Sequence, residues 1–260
     1  MAEALIRGLL RSNLIEAGSL SLSDVKRERL QYFHERYSLH FFEENRSLVV
    51  HSDILILAIK PQNMKEVLRE IRGAVRSDQT LISIAAGIPT SLVIGELKMK
   101  ARVVRVMPNT PALVLEGASA ISPSPYATSE DLEVAKSIFA SVGKVAVVEE
   151  DLMDAVTGLS GSGPAYVFLA MEGLREAGIR LGLSPDTSHL LVAQTFLGAA
   201  RLVMETREDP RILRERVSSP GGTTLAGLQV LEERDLRGIL GEAVEAATRR
   251  SRELAHQQKT

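Results

Sequence analysis

Four short apolar runs decide what the first half of this chain can fold into. Residues 53–60 contain Ile54-Leu55-Ile56-Leu57-Ala58-Ile59, apolar at every position rather than every second one. Strands that bury both faces read this way, and they belong to parallel sheets covered by helices on each side. Residues 80–85 and 102–107 carry similar patterns, and 144–148 is a shorter one. Between them, 63–75 and 129–142 place apolar residues at helical spacing. The second of these opens with a Ser-x-x-Asp-type cap around Thr128 to Asp131. Strand, helix, strand, helix over residues 1–150 predicts a doubly wound α/β domain.

After Asp151 the strand signal stops. Leu159-Ser160-Gly161-Ser162-Gly163-Pro164 interrupts the chain, and helical patterns follow over 165–183, 185–205, 210–217, 224–233 and 235–257. Residues 151–260 are therefore expected to form a separate all-α helical bundle domain. Its small-residue faces, Leu197-Gly198-Ala199-Ala200 and residues 243–247, suit either a subunit interface or an ordinary bundle core.

The start of the chain departs from the pattern. A Rossmann-like domain begins with a strand and a Gly-rich turn, yet Met1-Ala2-Glu3-Ala4-Leu5-Ile6-Arg7-Gly8-Leu9-Leu10 already reads as a helix. The first strand is central in such a sheet, and its turn holds a pyrophosphate. The expectation is a Rossmann-like doubly wound domain with its first strand missing, through a truncated start or as an altered variant.

Composition removes several function classes. The chain has 31 basic against 33 acidic residues, so no basic footprint for nucleic acid or anionic membrane is present. Its longest apolar run is far too short to span a bilayer, and Glu3 among Ala and Leu does not read as a secretory signal. Zero cysteines exclude thiol nucleophiles, disulfides and thiolate metal sites. A cytoplasmic location is the default, and no metal is expected. None of His34, His40, His51, His189 and His256 lies in a motif, so they read as surface or packing residues.

The most legible site is Val217-Ser218-Ser219-Pro220-Gly221-Gly222-Thr223-Thr224, which runs into the helix pattern ending at Glu233. A proline turn, two glycines and two threonines ahead of a helix present bare N–H groups and hydroxyls. The helix N-terminus adds partial positive charge, so the ligand expected here is small and anionic.

Five segments in order carry a resemblance to a known family. They are Ala58-Ile59-Lys60-Pro61-Gln62, Ser83-Ile84-Ala85-Ala86-Gly87, Met107-Pro108-Asn109-Thr110-Pro111, the stretch from Thr157 to Tyr166, and Val217 to Glu233. With these the chain resembles pyrroline-5-carboxylate reductase over essentially all of its 260 residues. The resemblance implies hydride transfer from a reduced nicotinamide to the C=N carbon of 1-pyrroline-5-carboxylate, the last step of proline synthesis. A protonated imine is already electrophilic, so orientation and charge matching matter more than a tuned acid. The family's opening strand and Gly-rich loop fall before Met1-Ala2. A start codon placed too late and a deliberate loss are both open.

The resemblance implies a substrate site at Gly222, Thr223 and Thr224, with the Thr224 hydroxyl bonded to the ring nitrogen as the catalytic group. A hydroxyl can donate or accept, so it can follow that nitrogen from imine to amine. The alternative is that either threonine merely caps the helix. Glu150 matches a position near the substrate, or is a first-turn carboxylate complementing a helix dipole. Cofactor contacts are implied at Ala58, Ile59, Lys60 and Pro61, at Ala85 and Ala86, and at Asn45 and Asn109. Lys60 could equally be a solvated strand-end lysine, Asn45 a helix N-cap, and Asn109 a turn former. The stretch from Ser160 to Pro164 reads as a flexible linker or as the opening of a long helix.

In Ser23-Asp24-Val25-Lys26-Arg27 an acidic residue would favour the ribose of NAD, whereas Ser with Lys and Arg would suit a 2′-phosphate. The expected cofactor is NADPH, with NADH possible, unless Lys26 and Arg27 form only a solvated helix face. The expected partners are the imine substrate and further copies of the chain, in a homodimer or higher homo-oligomer built through the C-terminal helices.

Overall fold

The computed structural model describes residues 1–259. They divide into two units: Met1–Ser162 together with the chain from Glu245 onward, and Gly163–Val244. The first unit carries every strand. It runs α1 (Ala2–Arg11), β1 (Ser21–Leu22), α2 (Arg27–Tyr37), β2 (His40–Phe41), α3 (Asn45–Val50), β3 (Ile54–Leu57) and α4 (Met64–Ile71). It continues through β4 (Thr80–Ser83), α5 (Thr90–Leu97), β5 (Arg102–Met107), β6 (Gly117–Pro123), α6 (Ser129–Ala140), β7 (Gly143–Val147) and α7 (Met153–Val156).

The main sheet has the order β3-β4-β5-β6-β7, parallel except for the antiparallel pair β5–β6. Ile54 pairs with Thr80, and Thr80 in turn with Arg102. Residues adjacent in each central strand enter different cores. Leu81 and Val103 join Met64, Leu68, Ile71, Val93 and Leu97 beneath α4 and α5. Ile82 and Val104 join Leu5, Leu9, Ile138 and Phe139 beneath α1 and α6. This is the physical content of an apolar run without alternation, and it gives the expected Rossmann-like doubly wound architecture.

A separate two-stranded parallel sheet pairs β1 with β2. Among the described residues no strand pairs with the second edge of β1 or of β3. In a doubly wound sheet ordered 3-2-1-4-5-6, the first strand occupies that position. Helix α1 is nevertheless docked. A Cβ at Gly8 would sit 2.8 Å from the Ser141 carbonyl oxygen, so α1 crosses the end of α6 in backbone contact.

The strand β6 falls outside the apolar runs noted above. Its sequence Gly-Ala-Ser-Ala-Ile-Ser-Pro is small and polar, yet Ser119, Ala120, Ile121 and Ser122 are buried. The first unit also extends past residue 150. Met153 is fully buried, and Asn109 holds the Ser160 carbonyl, which keeps this stretch with the sheet.

The second unit holds α8 (Gly163–Arg180), α9 (Pro185–Thr206), α10 (Pro210–Arg216), α11 (Thr223–Glu233) and the first part of α12 (Leu236–Lys259). It is all-α, as expected. Ser188 is buried and donates to the Arg175 carbonyl at 2.8 Å, tying α9 to α8. Apolar side chains are largely uncovered, with Phe168 61% and Leu169 69% exposed.

The cap expected at Thr128 is present in full. The Thr128 hydroxyl accepts from the Asp131 N–H, and the Asp131 carboxylate accepts from the Thr128 N–H and hydroxyl. The other Asp131 oxygen accepts from the Thr80 hydroxyl and lies 3.6 Å from Arg102. Asp131 is only 2% exposed. Burial alone would raise its pKa, but the hydrogen bonds from Thr80 and Thr128 and the Arg102 charge outweigh it and hold the carboxyl below its ordinary value.

A depressed folded-state pKa contributes stability above the unfolded pKa of about 4, and loses it as pH falls through the folded value. Asp131→Ala is expected to lower unfolding free energy by about 3 kcal/mol at neutral pH, the scale of charged hydrogen bonds and an orphaned hydroxyl. In urea titrations the gap to the unmodified chain should narrow towards pH 3. An undiminished gap there would show that the carboxylate charge is not what stabilises the joint.

Candidate functional site

Parallel strands place their carboxyl ends on one edge, and in doubly wound sheets ligands bind there. In the first unit that edge is formed by the turns following β3, β4 and β5. After β3, Ala58 and Lys60 are exposed, and Ile59 and Pro61 half-buried. Pro61 opens a short 3-10 turn over Pro61–Asn63, which the Asn63 N–H closes onto the Lys60 carbonyl at 2.9 Å. The Lys60 side chain stands in solvent. After β4, Ala85 is buried in the core, Ala86 is exposed, and Gly87 turns the chain with φ of +70°. Ala85 therefore has only its backbone to offer a ligand.

Asn109 follows β5. Its Nδ2 donates to the Ser160 carbonyl at 3.0 Å, and its Oδ1 accepts from the Ala118 N–H at 2.9 Å. Both ends of the amide are thus committed, the arrangement of a turn former. The stretch it holds is not a loose linker. Residues Thr157–Gly161 form a widened π turn leading into α8 at Gly163, a feature enriched at functional sites.

Glu150 reaches back to the same edge. Its carboxylate accepts from the Thr90 N–H and hydroxyl, each at 2.7 Å, at the first residue of α5. Arg105 lies 3.5 Å from it and is 6% exposed, midway along β5 with Ser83 and Ser122 as register partners. Glu150 thus complements a helix N-terminus, that of α5 rather than of its own short turn. Neither Thr90 nor Arg105 was singled out from the sequence. For Arg105 the signal was present: a cation in the middle of an otherwise apolar strand.

Asn45 is the first residue of α3, and Glu44 holds the cap position, so the N-cap alternative fails. Asn45 instead accepts from the Ser23 hydroxyl at 2.7 Å and donates to Glu70 at 2.8 Å. It joins the turn after β1 to α4. In that turn Asp24 accepts from the Lys26 N–H at 2.9 Å and lies 3.6 Å from Arg29, while Arg27 pairs with Glu43. The histidines His34 and His51 bond the carbonyls of Leu39 and Ser47, and their rings pack on Phe41 and Phe42.

The second unit carries the remaining group. Gly221 has φ of +69°, a conformation that favours glycine. The Gly222 N–H donates to the Ser219 carbonyl at 3.0 Å, and Gly222 itself is the N-cap of α11. No side chain caps this helix, so neither threonine plays that part. Thr223 is exposed and Thr224 half-buried in the first turn. The leading N–H groups of an eleven-residue helix are thereby left to a ligand or to solvent.

Among the described residues no group of three His, Asp or Glu side chains converges as metal ligands, and no helix is long and apolar enough to cross a membrane.

Comparison with known proteins gives two profile matches. Residues 150–254 match the family described as pyrroline-5-carboxylate reductase dimerisation, and residues 1–87 match NADP oxidoreductase, coenzyme F420-dependent. The pyrroline-5-carboxylate reductase of Methanosarcina acetivorans is 42% identical over 254 residues, covering 98% of this chain and 94% of the relative. A solved pyrroline-5-carboxylate reductase from Coxiella burnetii superposes with a TM-score of 0.92 at 37% identity, over 97% of this chain and 94% of its own. That of Plasmodium falciparum, solved with NADP bound, gives 0.87 at 33% identity over the same shares.

The Glu150 geometry generates a stability test. Glu150→Ala removes the acceptor of two N-terminal α5 donors and leaves Arg105 buried without its carboxylate. Thermal melts should show a loss of about 1–3 kcal/mol, with Glu150→Gln intermediate. No change in either variant would mean that the carboxylate is free for another partner.

Proposed function

The chain belongs to the pyrroline-5-carboxylate reductase family, and on that premise we propose that it reduces 1-pyrroline-5-carboxylate to L-proline with NAD(P)H, NADPH being preferred. The observation that carries this reading is the uncapped first turn of α11 behind the Pro220-Gly221-Gly222 turn. Its N–H groups and dipole suit the substrate carboxylate, and the Thr224 hydroxyl stands one residue into that turn to meet the ring nitrogen. The nitrogen enters protonated from solvent as an iminium, the imine carbon accepts the hydride, and the C=N π pair becomes the amine lone pair. No further acid is required, because a protonated imine is already electrophilic.

The first unit fits a dinucleotide on its own observations. The two sheets follow the order of a doubly wound nucleotide fold. Exposed Ala58 and Ala86 at the carboxyl ends of β3 and β4 leave room for close approach. Ser23, Lys26 and Arg27 after β1 are the groups for a ribose or its 2′-phosphate. The α1 N-terminus, which no side chain caps, offers N–H groups to phosphate. When bound, the cofactor supplies the hydride. Asn109 and Glu150 support the site through the turns they hold.

The all-α unit pairs with another copy of the chain in this reading, supported by the uncovered Phe168 and Leu169 and the dimerisation profile.

The purified chain should oxidise NADPH when pyrroline-5-carboxylate is added, followed by loss of reduced-nicotinamide absorbance. Thr224→Ala should lower kcat by about 10- to 100-fold, the scale of one hydrogen bond to a charged group, with an unchanged circular dichroism spectrum. Thr224→Ser, which keeps the hydroxyl, should stay near the unmodified rate. Full activity in Thr224→Ala would remove that hydroxyl from the mechanism.

A further inference from the structure

Helix α12 begins in the all-α unit, but from Glu245 it belongs with the first unit. Its buried side there is a stripe one turn apart: Thr248 and Ser251 are buried and Ala247 and Ala255 half-buried, while Glu245, Arg249, Arg252 and Glu253 are exposed. Ser251 is 5% exposed, and its hydroxyl donates to Asp154 Oδ1 at 2.6 Å. One turn further on, α12 meets the sheet edge. A Cβ at Gly87 would lie 3.6 Å from the Ala255 nitrogen and 3.9 Å from Leu254 Cβ, ordinary contact distances. The helix backbone therefore rests against the Ala85-Ala86-Gly87 turn.

Asp154 lies in α7, four residues after Glu150, whose carboxylate binds the start of α5. The loop between β4 and α5 is thus held twice from the same short segment. Glu150 grips its far end at Thr90, and Asp154, through Ser251, seats α12 against its near end at Gly87. Between these anchors Ile88 is fully buried, and Ala86, immediately before the near one, is exposed.

We propose that Asp154 and Ser251 are a positioning pair that seats the last turns of α12 against the β4–α5 loop and so sets the Ala86 surface for the reduced dinucleotide. The proposal rests on the reading that this edge binds NAD(P)H. Neither residue contacts the cofactor. They act through the loop, so losing the bond should weaken cofactor binding while leaving the α11 site and its grip on the imine intact.

The test is a fluorescence titration of NADPH into the full chain and its variants, run beside steady-state kinetics. Ser251→Ala and Asp154→Ala should each raise the NADPH dissociation constant about 3- to 10-fold, less than the full scale of one hydrogen bond to a charged group because the bond reaches the cofactor only through the loop. The double variant should be no weaker than either single one, as expected for members of one bond. Asp154→Asn keeps an acceptor for the Ser251 hydroxyl and should bind near normally. KM for NADPH should follow the dissociation constant, with kcat and the KM for the imine unchanged. If one alanine variant does not fold, the other still reads the bond from its second partner. Unmodified chain that binds NADPH, with a folded alanine variant binding equally well, overturns the pairing alone. Equal losses for NADPH and imine, or additive effects of the two alanines, also overturn it. Unmodified chain that fails to bind NADPH overturns the functional reading beneath it.

Discussion

Leu81 and Ile82 are neighbours in the chain and fully buried in different cores. That constraint, repeated at Val103 and Val104, governs the rest of the first unit. Each fully buried aliphatic side chain is worth roughly 1.5–3 kcal/mol, and a strand that buries both faces can be satisfied only by helices above and below it. Helices on both sides require crossover connections, crossovers make the strands parallel, and parallel strands bring their carboxyl ends to one edge. The exposed small residues Ala58 and Ala86 stand there because the aliphatic positions before them are spent on the two cores.

An edge made of turns cannot hold itself by packing, and here it is held by polar side chains from far along the chain. Glu150 binds the start of α5, Asn109 binds the π turn and β6, and Asn45 joins the β1 turn to α4. Each of these three uses its hydrogen-bonding atoms inside the protein. Their residue types are those that recognise ligands, and the same capacity makes them suited to fixing the backbone of a loop. The distinction matters for assigning roles: a polar residue beside a binding edge can be indispensable to it through the turn it holds.

This separates what was legible in the sequence from what was not. Periodicity reports burial, so the strands at Ile54–Leu57, Thr80–Ser83 and Arg102–Met107 and the capped helix at Ser129–Ala140 could be read directly. So could the start of α11, to within one residue, because Pro-Gly-Gly carries its own backbone geometry. Strand β6 could not, since Gly117 to Pro123 is small and polar and its burial comes from neighbours on both sides. The partners of Glu150 and Asp154 stand 60 and 97 residues away. No local pattern encodes such a pairing. The motifs marked the turns as places of interest, but the hydrogen bonds that decide what each polar residue does there are long-range.

The all-α unit obeys the opposite logic. Helix α8 has no buried residue, and α9 buries Ser188 but no apolar side chain, although both are rich in leucine and alanine. Apolar helix faces of this length are not stable uncovered in water. Their stabilisation has to come from another surface; in the proposed reading that surface is a second copy, which the dimerisation profile over residues 150–254 supports. The Pro220-Gly221-Gly222-Thr223-Thr224 turn belongs to this unit. A hydrogen-bonding cradle for a small anion depends on rigidity, because each N–H must already point at the ligand before it arrives. In the first unit that rigidity is supplied by two cores within one chain. In the second it depends on covering the faces of α8 and α9, so that in the proposed reading the preorganisation of the Thr224 site is tied to assembly.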